Sequence, residues 1–251
     1  MTEPSKAKTP PLKTKERIIV ALDVEHGDEA RTIVREIGDN AGAFKIGLQL
    51  FTAAGPDLVR EMVASGIKVF LDLKFHDIPN TVARASVEAA KLGVWMFNMH
   101  ASGGREMMRA AVEAVKEHCE RTGGGLPVMI GVTALTSSDA ATLRESGVGL
   151  SLDDHVIKLA RDAADSGLLG VVSSPQEVRM IKDAIDLPNF CLVTPGIRAA
   201  DATKDDQKRV MTASEAIVAG SDYLVIGRPI TAAPDRKSAI DKIIQEIDQI
   251  R

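Results

Sequence analysis

The sequence predicts an α/β fold closed as one (β/α)8 barrel, on three observations. Eight short apolar or β-branched runs alternate with longer amphipathic stretches. The alternation fills residues 16–251 of a 251-residue chain, the size of a single such barrel. No GxGxxG follows the first run, which weakens the runner-up, an open doubly wound sheet.

In chain order the expected strands are 18–23, 44–48, 68–73, 94–99, 127–132, 169–172, 190–194 and 223–226. Most of these runs lack polar alternation, as strands do when helices cover both sides of a parallel sheet. The expected helices are 29–38, 52–65, 79–92, 104–121, 152–166, 175–184, 207–219 and 234–250. Pro79 and Pro175 suit a first helical turn, where no amide donor is needed. Gly38, Gly66, Gly93, Gly167 and Gly220 follow helical runs, where a left-handed residue commonly stops a helix. Residues 1–15, with Thr9-Pro10-Pro11, read as an N-terminal tail, and residues 16–251 as a single TIM-barrel catalytic domain. The polar stretch 199–208 is long enough to act as a lid.

Composition excludes several functions. Hydrophobic residues make up 45% and charged residues 26%, enough for a substantial core. Aromatics are only 3%, too few for binding single-stranded nucleic acid by base stacking. A formal charge of −4 gives no general attraction to nucleic acid or an anionic membrane, so an anionic ligand must meet locally placed cations. Cys119 and Cys191 form no disulfide framework and no CxxC, which fits a reducing cytoplasm. The Lys-rich start has no apolar h-region, and no apolar run approaches the ~18 residues of a membrane span.

The most informative segment runs from Val69 to Thr81, VFLDLKFHDIPNT. Asp72 and Lys74 lie two apart at a strand's C-terminal end, so their side chains share one face. A charged pair there either points inward at the barrel mouth or meets the helices at a desolvation cost. The mouth is where barrel enzymes keep catalytic groups. Asp23 ends the first run, and Lys45 lies within the second, where it must find a carboxylate or lose its charge. One such pair would be equally well explained as a structural ion pair. Four inward charges from three consecutive strands point to chemistry.

Other candidates read as structural. His76 stands among lysines and is a poor metal ligand, and His100 suits packing or hydrogen bonding at the mouth. Neither cysteine has a motif that would make it a nucleophile, and Ser173-Ser174 lacks a GxSxG setting. Gly196 and Gly227 lie just after strands seven and eight, the usual phosphate corner of a barrel. Glycine lets backbone amides approach an anion closely, and Arg228 offers a fork of donors. Each loop alone is common turn chemistry; together they favour a phosphorylated ligand.

Asp72-x-Lys74-x-x-Asp77 followed by Ile78-Pro-Asn-Thr81 resembles the signature of orotidine 5′-monophosphate decarboxylases. The likeness covers nearly the whole chain, including Ile19–Asp23, Phe44–Gly47, Leu135-Thr136-Ser137, Val193–Arg198 and Val225–Ile230. It implies cofactor-independent decarboxylation of orotidine 5′-monophosphate to uridine 5′-monophosphate, with no metal. In that reading Lys74 stabilises and protonates the carbanion, beside Asp72, Lys45 and Asp77. Asp23 and Lys45 would hold the ribose hydroxyls, Thr136 would stand at the base, and Arg198, Gln207, Gly227 and Arg228 would contribute to ligand binding. The resemblance also implies a homodimer in which Asp77, Ile78 and Thr81 reach the neighbouring site. A related alternative is a magnesium-dependent keto-sugar-phosphate decarboxylase or hexulose-phosphate synthase. Those share the Asp-x-Lys-x-x-Asp core, but Lys45 stands where they would carry a metal-binding acid.

Overall fold

The computed structural model describes residues 12–198 and 211–250. Eight parallel strands close in sequence order into one barrel. They are β1 Ile18–Ala21, β2 Ala43–Gly47, β3 Val69–Phe75, β4 Met96–His100, β5 Val128–Val132, β6 Gly170–Val172, β7 Cys191–Thr194 and β8 Tyr223–Ile226. β1 pairs with β8 to complete the ring, with Ile19 opposite Val225.

The helices are α1 Gly27–Ile37, α2 Leu48–Ala64, α3 Pro79–Lys91, α4 Arg105–Thr122, α5 Ala140–Glu145 and α6 Leu152–Asp165. They continue with α7 Val178–Ala184, α8 Ala213–Ala219, α9 Arg228–Thr231 and α10 Arg236–Asp248. Several boundaries differ from the sequence reading for local reasons. α2 starts at Leu48 rather than 52 and breaks at Gly55, whose φ of 69° turns the chain ahead of Pro56. Pro56 cannot donate the next helical bond, so the second piece restarts there. Pro175 opens a 3-10 turn, Pro175–Glu177, capped by Ser174, and the α-helix begins only at Val178. α10 starts after Asp235, whose carboxylate accepts the Ser238 amide at 2.9 Å. α5 was not expected; Asp139 caps it by accepting the Ala141 and Thr142 amides. Residues 199–208 and the first part of the helix expected over 207–219 lie outside the described residues.

The strands alternate sides as their period of two requires. Ile19, Ala21, Ala43, Phe70, Met96, Ile130, Val193 and Val225 form one buried cluster, the filling of the barrel. Their neighbours Ile18, Val20, Phe44, Leu71 and Phe97 belong to the larger layer packed under the helices. Two residues toward the C-terminal end from Ala43, Phe70 and Met96 come Lys45, Asp72 and Asn98. The apolar filling thus gives way to a polar layer at the mouth. Among the described residues, no helix is long and apolar enough to cross a membrane.

Candidate active site

That polar layer is a linear chain of alternating charge. Lys45 Nζ donates to Asp23 Oδ1 at 2.9 Å and faces Asp72 Oδ2 at 3.4 Å; Lys74 Nζ donates to Asp72 Oδ1 at 2.6 Å. The Lys45 side chain is only 9% exposed and that of Asp72 13%, so water screens the centre of the chain poorly. Burial works against charge on Lys45, but Asp72 and then Asp23 outweigh it, and its pKa stands above the ordinary lysine value. Burial likewise opposes the Asp72 carboxylate, yet Lys45 and Lys74 hold its pKa below the usual range. Lys45 therefore keeps the charge that its apolar strand put in question, and Asp72 stays an anion.

Lys74 reaches this position through an irregular backbone. The β3–β4 register runs from Leu71 opposite Phe97 directly to Phe75 opposite Met99, so Asp72, Leu73 and Lys74 together face the single residue Asn98. Within this bulge Lys74 has φ 52°, a left-handed conformation that a side chain adopts at a cost of about 1 kcal/mol or more. Simple alternation was thus the wrong reason for Asp72 and Lys74 to meet, although they do meet.

The charged chain lines a cavity of about 420 Å³, within the usual range for small-ligand sites. Its lining includes Asp23, Lys45, Asp72 and Lys74, Thr136 beyond β5, and Gly196, Arg198, Gly227 and Arg228 beyond β7 and β8. Gly196 has φ 84°, which suits glycine. Arg198 donates to the Ile197 carbonyl at 3.1 Å, and Ile197 bridges to Met211 across the undescribed stretch. Gln207 lies outside the described residues.

Asp77, Ile78 and Thr81 do not line this cavity. Asp77 instead accepts the Ile78 amide at 2.6 Å, and the Ile78 residue is 65% exposed. The place of Asp77 at the Lys74 end of the lysine–aspartate chain is therefore not filled by Asp77 of the same protomer, and Asp23 stands at the other end, on Lys45. His100 packs against His76, with ring centroids 5.4 Å apart, and burial, His76 and Lys74 push its pKa down. Among the described residues, no group of three His, Cys, Asp or Glu could hold a metal ion. Sequence reading missed Asn98, which is fully buried and bonded to both Asp72 and Lys74. An amide two residues beyond Met96 in an otherwise apolar inward row was the available signal.

Fold and mouth together define a (β/α)8-barrel protein with paired lysines and aspartates at its C-terminal face, Lys45 and Asp72 being the least exposed. The chain belongs to the orotidine 5'-phosphate decarboxylase / HUMPS family, whose model matches residues 16–243. It is 50% identical over 236 residues to an orotidine 5'-phosphate decarboxylase of Syntrophotalea carbinolica, covering 94% of this chain and 96% of that one. A relative of the same name from Heliobacterium modesticaldum is 48% identical, covering 94% and 97%. Among solved structures, the orotidine 5'-phosphate decarboxylase of Lactobacillus acidophilus superposes with a TM-score of 0.81 at 37% identity, covering 92% of this chain and 98% of that one.

Proposed function

We propose that this protein converts orotidine 5′-monophosphate to uridine 5′-monophosphate, the last step of de novo UMP synthesis, without a cofactor. The observation that carries this reading is the Asp23–Lys45–Asp72–Lys74 chain lining the cavity. Relatives at about half identity over nearly the whole chain bear the name of that enzyme.

The reaction breaks the bond between ring carbon C6 and its carboxylate carbon. Carbon dioxide leaves and the electron pair stays on C6. Lys74 stabilises that charge as it forms and then donates an Nζ proton to C6. Asp72 holds the ammonium by a charge-assisted bond and stands beside the departing carboxylate. Asp23 and Lys45 take the ribose hydroxyls, and Thr136 the base. Gly196 and Gly227 amides with Arg228 receive the phosphate, joined by Arg198 and Gln207; the first four all border the cavity.

Asp77, Ile78 and Thr81 serve the site of a second protomer in a homodimer. Their exposure at the start of α3, away from their own chain's cavity, supports this role. A cytoplasmic setting fits the two free cysteines. The match beginning at residue 16 supports reading a single catalytic domain. The tail expected over residues 1–15 ends earlier, because Thr14 is buried in a 3-10 turn, Thr14–Arg17, and donates to Asp248 of α10.

The magnesium-dependent alternative is disfavoured because the Lys45 ammonium already stands between the Asp23 and Asp72 carboxylates. A divalent cation there would meet a fixed positive charge. The test is the ultraviolet change on adding orotidine 5′-monophosphate to metal-stripped protein with a chelator present. Turnover at the untreated rate is expected; an unchanged spectrum would overturn the proposal.

A further inference from the structure

Asn98 sits on β4 opposite the β3 bulge, fully buried, and spends both ends of its side chain there. Its Nδ2 donates to Asp72 Oδ1 at 2.7 Å, and its Oδ1 accepts the Lys74 backbone N–H at 2.8 Å. We infer that Asn98 is a positioning residue, whose one amide fixes the Asp72 carboxylate and the left-handed Lys74 backbone relative to each other. The inference rests on the proposed reaction, in which Lys74 delivers the proton.

The requirement for an amide follows from the two partners. Three β3 residues face one β4 residue, so the ladder cannot satisfy every backbone group in the bulge. A buried N–H without an acceptor is costly, and here the Asn98 carbonyl supplies the acceptor. The carboxylate alongside needs a donor, and the same planar group supplies one. The reversed amide would set its carbonyl against the carboxylate and its NH2 against the N–H. An apolar residue would satisfy neither partner, and an aspartate would place a second anion against Asp72.

Asp72 Oδ1 accepts from both Asn98 and the Lys74 ammonium. Asn98 therefore grips Lys74 twice, at its backbone directly and at its ammonium through Asp72. The strained φ of Lys74 persists because both ends of the residue are held. Without the amide the bulge can relax, and the ammonium moves relative to a ligand held by the rest of the cavity.

The test compares Asn98→Leu, of the same branching but apolar, with Asn98→Asp, which keeps an acceptor for the Lys74 amide but turns the donor facing Asp72 into a carboxylate. Turnover, inhibition by uridine 5′-monophosphate, the pH profile of kcat and urea stability are measured for each. Both variants should lose about 10- to 100-fold in kcat, while product affinity changes less than about threefold. In Asn98→Asp the acid limb of the kcat profile should also move up by about one pH unit, because the added carboxylate disfavours ionised Asp72. A purely structural residue would lower stability and leave that limb in place. Folded Asn98→Asp with wild-type kcat and an unmoved limb overturns the inference, whatever becomes of Asn98→Leu. If wild-type protein itself fails to turn over orotidine 5′-monophosphate, the proposed function fails; if only the variants behave as wild type, this inference alone fails.

Discussion

Lys74 Nζ lies 2.6 Å from Oδ1 of Asp72, a carboxylate whose other oxygen faces Lys45 at 3.4 Å. Each lysine is thereby tied to the ionisation of one buried acid, which gives the site a defined pH window. Asp72 is held below its ordinary pKa of 3.8, so its contribution to stability is present above that pH and is lost as pH falls through the folded value. Lys45 is raised above 10.5, so its contribution is present below that pH and is lost as pH rises through the folded value. Asp72→Asn should cost about 3 kcal/mol at neutral pH, because buried Lys45 loses one of its partners. Urea unfolding of both proteins from pH 2.5 to 8 checks this. The difference should shrink below about pH 4; a difference constant down to the lowest pH would contradict the ion-pair account.

Gly47 gives a test that leaves every charge in place. Its φ of −93° and ψ of −177° are open to any residue, but a Cβ there would stand 3.0 Å from Lys45 Nζ and 3.6 Å from Asp23 Oδ1. Gly47→Ala should therefore fold normally and push the Lys45 ammonium aside. Turnover should fall about tenfold, since small misplacements are expensive in catalytic geometry. Wild-type kcat/KM in a folded Gly47→Ala protein would show that the Lys45 position is not critical.

Arg228 borders the same cavity as the ion-pair chain. Under the proposed function its guanidinium meets the phosphate, remote from the broken bond. Arg228→Ala should lower kcat/KM for orotidine 5′-monophosphate about 100-fold, while turnover of the unphosphorylated nucleoside stays within a few-fold of wild type. Equal losses on both substrates would move Arg228 out of the phosphate role.

A shared site predicts complementation. Lys74→Ala and Asp77→Ala should each be nearly inactive when purified alone. In a mixed dimer, one of the two sites has Lys74 from one protomer and Asp77 from the other. Mixing with subunit exchange should restore about a quarter of wild-type activity, the statistical share of intact sites when equal amounts exchange freely and active sites require few conformational concessions. Exchange demonstrated by mass, with no recovered activity, would rule out the trans role of Asp77, Ile78 and Thr81.

The sequence by itself determined the barrel and most of its site. Eight apolar runs with helical spacers leave few topologies, because parallel strands must be covered on both faces. Charges at strand ends are legible for a related reason: an ionised group in an apolar run is too costly to be incidental. Asp23, Lys45, Asp72 and Lys74 were therefore readable as a group.

Tertiary structure decided how those charges are held. Period-two alternation cannot register a bulge, since extra residues on one strand are defined only against its partner. The left-handed Lys74, the separation of Asp77 from its own cavity, and the two hydrogen bonds made by Asn98 all depend on where β4 lies beside β3. A lone Asn in a buried strand carries no charge signal, and its meaning comes only from the two groups that the closed barrel brings against it.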